Sequence, residues 1–374
     1  MKHKIITVFG TRPDAIKMAP VVKALQRRSD ACELRVAVTG QHREMLDQVL
    51  RAFDIVPDHD LAIMAPGQTL AGITARAMTG LDAYFAAEKP DAVIAQGDTT
   101  TTFVAALAAF YHRAAFGHVE AGLRTGNKFD PFPEEMNRLL TTRLTTLHFP
   151  PTQEAAENLR AEKVAEETIV VTGNTVIDAL LATAAKEHAA DDPAVSEAIA
   201  DPRRVILVTA HRRENWGEPM ARICRAIRDV ATGREDVLVV FSLHRNPVVR
   251  ETVVPILGDL PNVRLIEPPD YVPFVKLMQK ATLILTDSGG VQEEAPSLAK
   301  PVLVMRETTE RPEGLTAGVT RLVGTDIATI VRETNTLLDD PAAYDRMARS
   351  VSPYGDGHAA DRIVDSMLAY LRSR

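Results

Sequence analysis

The residues able to do chemistry in this chain stand just beyond short apolar runs. Asp98 follows the run 91–95, Glu120 follows 114–119, and Glu134 opens a helical pattern at Phe132-Pro133-Glu134-Glu135-Met136-Asn137-Arg138. Each has an ordinary explanation when taken alone. Asp98 suits a helix cap, and Glu134 suits an exposed i,i+4 ion pair with Arg138 that carries little energy. Three carboxylates at neighbouring strand ends are harder to explain that way, because crowded acids are costly unless they face cations or transfer protons. Candidate cations lie in Gly10-Thr11-Arg12-Pro13-Asp14-Ala15-Ile16-Lys17. There Arg12 and Lys17 put two positive charges at a helix start, against the helix dipole, which calls for an anion if the loop is more than a solvated turn.

The second half supplies groups suited to phosphate. His211-Arg212-Arg213-Glu214-Asn215 follows the run 204–209, and His244 lies in a polar cluster after 236–241. Thr286-Asp287-Ser288-Gly289-Gly290-Val291-Gln292-Glu293-Glu294 takes a strand through Ser-Gly-Gly into a helix. Backbone N–H groups bare of side chains can hold a diphosphate at such a start, and Glu294 one turn later can accept ribose hydroxyls. Glu310-Arg311-Pro312-Glu313 adds another arginine. Other chemistries are excluded. There is neither a G-x-x-x-x-G-K-[ST] loop nor a G-x-G-x-x-G. His118-Val119-Glu120 imitates the H-x-E of zinc deaminases, but no P-C-x-x-C accompanies it. With two cysteines, Cys32 and Cys224, neither a disulfide framework nor a cysteine-rich metal site is available.

The elements that must position these groups follow from the apolar pattern. Runs at 4–9, 33–39, 91–95, 114–119 and 168–171 read as strands, each set off by segments of helical spacing. The rhythm repeats at 204–209, 236–241, 263–266, 282–286 and 302–305. Strands that are continuously apolar and separated by helices indicate parallel sheets covered on both faces. Two such series predict two doubly wound domains, with ligands outside the carboxyl ends of the strands. The expected division is 1–172, carrying the acids, then 173–355, then a final stretch 356–374. In that stretch Ile363, Val364, Met367, Leu368 and Leu371 form one apolar stripe that needs a partner surface. Pro20 is expected to bend the helix after the first strand.

Composition bounds the partners. The chain has 374 residues, 45% hydrophobic and 25% charged, an ordinary globular balance. Lys+Arg 43 against Asp+Glu 50 gives a net charge of −7, which argues against nucleic acid as a partner. No apolar run approaches the roughly 18 residues of a membrane span, and the apolar start is broken at Gly10-Thr11-Arg12-Pro13-Asp14, too early for an export signal. The expectation is a cytoplasmic protein with no membrane partner.

Taken in order, these motifs resemble the bacterial non-hydrolysing UDP-N-acetylglucosamine 2-epimerase family over nearly the whole chain. The matching segments in the first half are Phe9-Gly10-Thr11-Arg12-Pro13, Gln41-His42-Arg43-Glu44-Met45-Leu46, Gly97-Asp98-Thr99-Thr100-Thr101 and His118-Val119-Glu120-Ala121-Gly122-Leu123-Arg124. In the second half they are Gly173-Asn174-Thr175-Val176-Ile177-Asp178, His211-Arg212-Arg213-Glu214-Asn215, Thr286-Asp287-Ser288-Gly289-Gly290 and Glu310-Arg311-Pro312-Glu313. Gln96, Ala210 and Pro269 depart from the residues frequent in relatives, Pro269 near the uracil position.

The resemblance implies two Rossmann-like domains of glycosyltransferase-B type, the active site in the interdomain cleft, and the last helix returning to the first domain. It implies reversible conversion of UDP-N-acetylglucosamine to UDP-N-acetylmannosamine by elimination of UDP to a 2-acetamidoglucal and re-addition. No metal, nicotinamide or other cofactor is required. Asp98, Glu120 and Glu134 would move the C2 proton, without a decision as to which serves which face. Arg12, Lys17, Arg138 and His211 would stabilise diphosphate or sugar. Ser288, Gly289, Gly290, Glu294 and Arg311 would hold UDP, and Phe274 would line the base site. Gln41, His42, Gln68 and His244 match positions of a second, regulatory nucleotide-sugar site. The family is commonly homodimeric. The rival readings are a hydrolysing epimerase, a glycosyltransferase of the same architecture, and a non-catalytic nucleotide-sugar sensor.

Overall fold

The computed structural model describes residues 2–40, 43–64, 67–186, 192–349 and 351–374. The chain forms two compact units, Met1–Ala179 with Tyr354–Arg374, and Leu180–Pro353. In the first, β1 (His3–Phe9), β2 (Cys32–Val38), β3 (His59–Asp60), β4 (Ala92–Gln96), β5 (Ala115–Val119) and β6 (Leu147–Phe149) make one parallel sheet. Its order is β3-β2-β1-β4-β5-β6. The second contains β7 (Arg204–Thr209), β8 (Val237–Ser242), β9 (Val263–Ile266), β10 (Ala281–Thr286), β11 (Val302–Val304) and β12 (Thr320–Leu322), all parallel. Their order, β12-β11-β10-β7-β8-β9, repeats the first pattern. Both are doubly wound sheets, with strand order reversing between β1 and β4 and between β7 and β10. Ligands gather at such crevices.

The central strands are buried on both faces: Ile5, Ile6, Val8, Val93, Ile94 and Ala95 in the first sheet, Val205, Leu207, Val208, Leu283 and Ile284 in the second. Helix Thr100–Tyr111 reaches the first sheet closely because its inner face is Val104, Ala105, Ala108 and Ala109. The final helix, Ala359–Arg372, buries Ile363, Val364, Met367, Leu368 and Leu371 within the first unit. Arg27 and Arg28, closing helix Arg12–Arg27, pair with its Asp361 and Asp365. A Cβ on Gly117 of β5 would lie 2.7 Å from the terminal carbon of Met367, so any larger residue there would have to displace that side chain.

One expectation is corrected. Segment 168–171 is no strand; it holds a 3₁₀ turn, Glu166–Thr168, and a single bridge from Ile169 to His148. The true edge strands β3, β6 and β12, of two or three residues each, are too short to show a period. Helix Arg12–Arg27 continues through Pro20 without interruption. Among the described residues no helix is long and apolar enough to cross a membrane.

Candidate active site

The acids of the first unit stand beyond the carboxyl ends of β4 and β5. Gly97 turns with φ 78°, and Glu120 adopts φ 62°, a left-handed conformation that is strained for a side chain with a Cβ. That turn aims Glu120 back over the strand ends. Its carboxylate is nearly buried and accepts from Lys17 Nζ at 2.6 and 2.7 Å, from the Gln96 amide, and from Asn174 Nδ2 at 3.4 Å. Lys17 is therefore placed against an acid.

Asp98 is not a helix cap. Thr99 takes that role, accepting from Thr102 N, so the Asp98 carboxylate points elsewhere. It receives Arg138 Nη1 at 2.6 Å, while Asn137 Nδ2 holds its backbone carbonyl at 2.8 Å. Burial raises the Asp98 pKa, and the charges of Glu120 and Glu134 add to this against Arg138 and Lys17. An acid biased toward keeping a proton, beside two others, is suited to proton transfer.

The expected Glu134–Arg138 pair is absent. Arg138 turns instead to Glu135, donating from Nε at 3.0 Å and Nη2 at 2.8 Å, because Glu135 faces inward and Glu134 does not. Glu134 makes no ion pair among the described residues, yet its charge is felt at Asp98. Arg12 likewise makes no ion pair among them and lies half-exposed in the first turn of its helix. Buried His118 on β5 donates from Nε2 to the Gly97 carbonyl, 2.8 Å away, and burial lowers its pKa to about 4. A neutral ring must then be the donor there.

In the second unit the fully buried Asp287 organises the loop after β7. It accepts from His211 N at 2.9 Å, Arg212 N at 2.9 Å and Asn215 Nδ2 at 3.0 Å. His211 Nδ1 lies 3.4 Å from the same carboxylate, and its ring stacks on His244 at 5.7 Å. Burial lowers the His211 pKa, and His244 and Arg212 act the same way against Asp287. Ser288 leads into the helical turn Gly289–Glu294, continued by the 3₁₀ turn Ala295–Leu298. A Cβ on Gly289 would lie 3.5 Å from Arg212 Nη2 and 3.8 Å from Arg311 Nη2, so two guanidinium groups face bare backbone. Arg311 is held by Glu293, and Arg306 ties Glu214 at 2.5 Å and Glu310 at 2.7 Å, fixing both arginine-bearing loops. That cradle suits an anion such as a diphosphate.

Glu294 lies one turn beyond Gly290; burial, with the Glu294 charge adding to it, raises the Tyr271 hydroxyl pKa well above its ordinary value. Phe274 is half-buried in helix Tyr271–Lys280. Gln68 accepts from Arg76, and His244 Nδ1 accepts from Asn246 N at 3.1 Å. Gln41 and His42 lie outside the described residues. No cluster of three or more His, Cys, Asp or Glu placed to hold a metal occurs among the described residues. Sequence reasoning passed over Asp287, Gln96, Asn174, Asn137 and Glu135. Of these Asp287 carried a local signal, an acid inside the strand–Ser-Gly-Gly motif.

Paired doubly wound sheets, a group of acids beyond the strands of one and an arginine–glycine cradle on the other, define a two-domain α/β protein of the glycosyltransferase-B-like class. A glycosyltransferase from Rickettsia africae shares this fold at 12% identity, with a TM-score of 0.60 over 100% of this chain and 97% of that one.

The particular family follows from closer similarities. The sequence profile described as UDP-N-acetylglucosamine 2-epimerase matches residues 23–368, and the chain belongs to that family. It is 55% identical to the UDP-N-acetylglucosamine 2-epimerase of Escherichia coli K12, over 97% of this chain and 98% of the relative. The UDP-GlcNAc 2-epimerase of Neisseria meningitidis, solved bound to UDP-GlcNAc, is 47% identical with a TM-score of 0.85, over 98% of this chain and 100% of that one. That of Methanocaldococcus jannaschii, in complex with UDP-GlcNAc and UDP, is 31% identical with a TM-score of 0.76, over 98% and 99%.

Proposed function

We propose that this protein interconverts UDP-N-acetylglucosamine and UDP-N-acetylmannosamine without hydrolysis. A carboxylate removes the proton at C2 while the anomeric C1–O bond breaks and UDP departs, leaving a 2-acetamidoglucal. The β-phosphate oxygen then returns to C1 as a proton is delivered to the other face of C2. Atoms and charge balance with no cofactor. The observation that carries this reading is the grouping of Asp98, with its raised pKa, beside Glu120 and Glu134. Inversion at carbon needs more than one proton-carrying position, and these acids supply them.

Each remaining group has a part. Lys17 and Arg138 hold the charges of Glu120 and Asp98. Arg12 meets the sugar or the phosphates. His211, with Nδ1 toward Asp287, offers Nε2 to the leaving phosphate. Ser288, Gly289, Gly290 and Arg311 bind the diphosphate, Glu294 the ribose, and Phe274 the base. Gln68 and His244, with Gln41 and His42, form the regulatory site. The enzyme acts as a cytoplasmic homodimer that feeds cell-surface polysaccharide synthesis; its two buried, unpaired cysteines suit a reducing compartment.

Incubation with UDP-N-acetylglucosamine in D2O, followed by NMR, tests the reading. The expected product is UDP-N-acetylmannosamine deuterated at C2. Free N-acetylmannosamine with stoichiometric UDP would replace it with hydrolysis, and sugar transfer only when an acceptor is added would replace it with a glycosyltransferase.

A further inference from the structure

Buried Glu135 touches no reacting atom, yet it joins two features that surround Asp98. One oxygen, Oε1, accepts the backbone N–H groups of Thr125 and Gly126 at 3.1 and 3.0 Å, fastening the loop that leads from β5 to helix Glu134–Leu144. The other, Oε2, accepts Nε and Nη2 of Arg138. The remaining arm of the same guanidinium, Nη1, reaches Asp98 at 2.6 Å. The guanidinium is planar and rigid, so fixing two of its nitrogens on Glu135 fixes where the third points. The loop it fastens carries Phe129 and Phe132, both largely exposed.

We propose that Glu135 is a positioning residue for the epimerisation: through Arg138 it orients Asp98 and takes up part of the Arg138 charge that would otherwise fall on that carboxylate. The inference rests on Asp98 being a proton carrier. A base must not be held too firmly in its ionised form, and an arginine shared between two carboxylates stabilises each less than an undivided one. The groups facing Asp98 are Arg138 and Glu134 on helix Glu134–Leu144, Lys17 on helix Arg12–Arg27, and Glu120 beyond β5. None of the others divides the Arg138 charge. Glu135 itself stays ionised: burial works against its charge, but the bonds from Arg138, Gly126 and Thr125 outweigh burial and lower its pKa.

The test is Glu135→Gln in the full chain. The amide oxygen can still accept from Thr125 and Gly126, but the negative charge is gone, leaving Asp98 as the one carboxylate paired with Arg138. The acidic limb of the kcat/KM profile should move down by about one pH unit, with kcat reduced about 10- to 100-fold and KM within about threefold. Carbon-13 titration of the aspartate carboxylates, with Asp98 assigned from Asp98→Asn, should show the same downward shift. Glu135→Asp keeps the charge but is one methylene shorter. It should leave the limb in place while lowering kcat about 3- to 10-fold, because it cannot reach both Arg138 and the loop.

An Asp98 titration and acidic limb that stay put in Glu135→Gln would overturn the proposal. If Glu135→Gln does not fold, a Glu135→Asp enzyme with wild-type kcat would overturn it, and the reduced kcat would support it. Absence of epimerase turnover in the wild type would refute the proposed function instead. The carboxylate titration, which needs no turnover, would still decide the role of Glu135.

Discussion

Asp14 carries a measurable penalty that replacement by Asn should remove. Its carboxylate is 5% exposed, between the starts of helices Arg12–Arg27 and Thr100–Tyr111. It accepts from Thr11 N at 3.2 Å and Gly10 N at 3.4 Å, closing the capping box. Burial nevertheless raises its pKa from 3.8 to about 6, more than these bonds and Lys17 can offset. A shift of about 2 units corresponds to about 3 kcal/mol.

The sign follows from proton uptake. Between pH 3.8 and about 6 the folded state holds a proton that the unfolded chain has released, so stability falls as pH rises through that window. Below it the acid is neutral in both states; above it the full penalty applies. Asparagine keeps an acceptor for the capping N–H groups and carries no charge. Asp14→Asn should therefore match the wild type near pH 4 and exceed it near pH 8 by up to about 3 kcal/mol. For a unit of roughly 200 residues that is about 6–12 °C. The single tryptophan, Trp216, belongs to the other unit. Melting of the first unit is then the change in circular dichroism not accompanied by a change in tryptophan fluorescence. A difference between variant and wild type that is constant from pH 4 to 8 would refute the reasoning.

His118 should make the same unit acid-labile for the opposite reason. Its pKa is lowered from 6.5 to about 4 by burial, so its contribution is complete above pH 6.5 and is lost, by about 3 kcal/mol, as pH falls to 4. His118→Gln should flatten that part of the pH–stability curve, measured by the same dichroism. Asp287→Asn turns an acceptor of two backbone N–H groups partly into a donor. It should cost about 1–3 kcal/mol for each donor left unpaired and weaken UDP binding in calorimetry. Trp216, whose Nε1 donates to the His211 carbonyl at 3.2 Å, should report the unfolding directly. Glu134→Gln should lower kcat by about 10²–10⁴-fold with UDP affinity within about threefold, read by coupled turnover and calorimetry.

Much of the architecture was legible in the residue order, because its causes are local. Ile5 to Phe9, apolar but for Thr7, and Val205 to Val208 lack the alternation of a half-exposed strand, and each leads into a segment of helical spacing. That combination leaves little but a parallel sheet covered on both sides. The stripe from Ile363 to Leu371 showed that the last helix needs a partner. The positions of Asp98, Glu120, His211 and the Ser288-Gly289-Gly290 turn, each just past a strand, were likewise readable from strand ends alone.

Tertiary structure decided who pairs with whom. Spacing allowed Arg138 either Glu134 or Glu135, four and three residues apart in sequence, and only the packing of the helix turned Glu135 inward. Whether Asp98 capped a helix depended on Thr99 competing for the same N–H group. Lys17 and Glu120 meet across 103 residues, at a distance that no local pattern encodes. The edge strands β3, β6 and β12 exist because neighbours offer them unpaired backbone, not because their own residues demand it. Periodicity is a property of adjacent residues and can be read along a chain. The charge a buried group keeps depends on everything packed around it, and that is settled only when the chain folds.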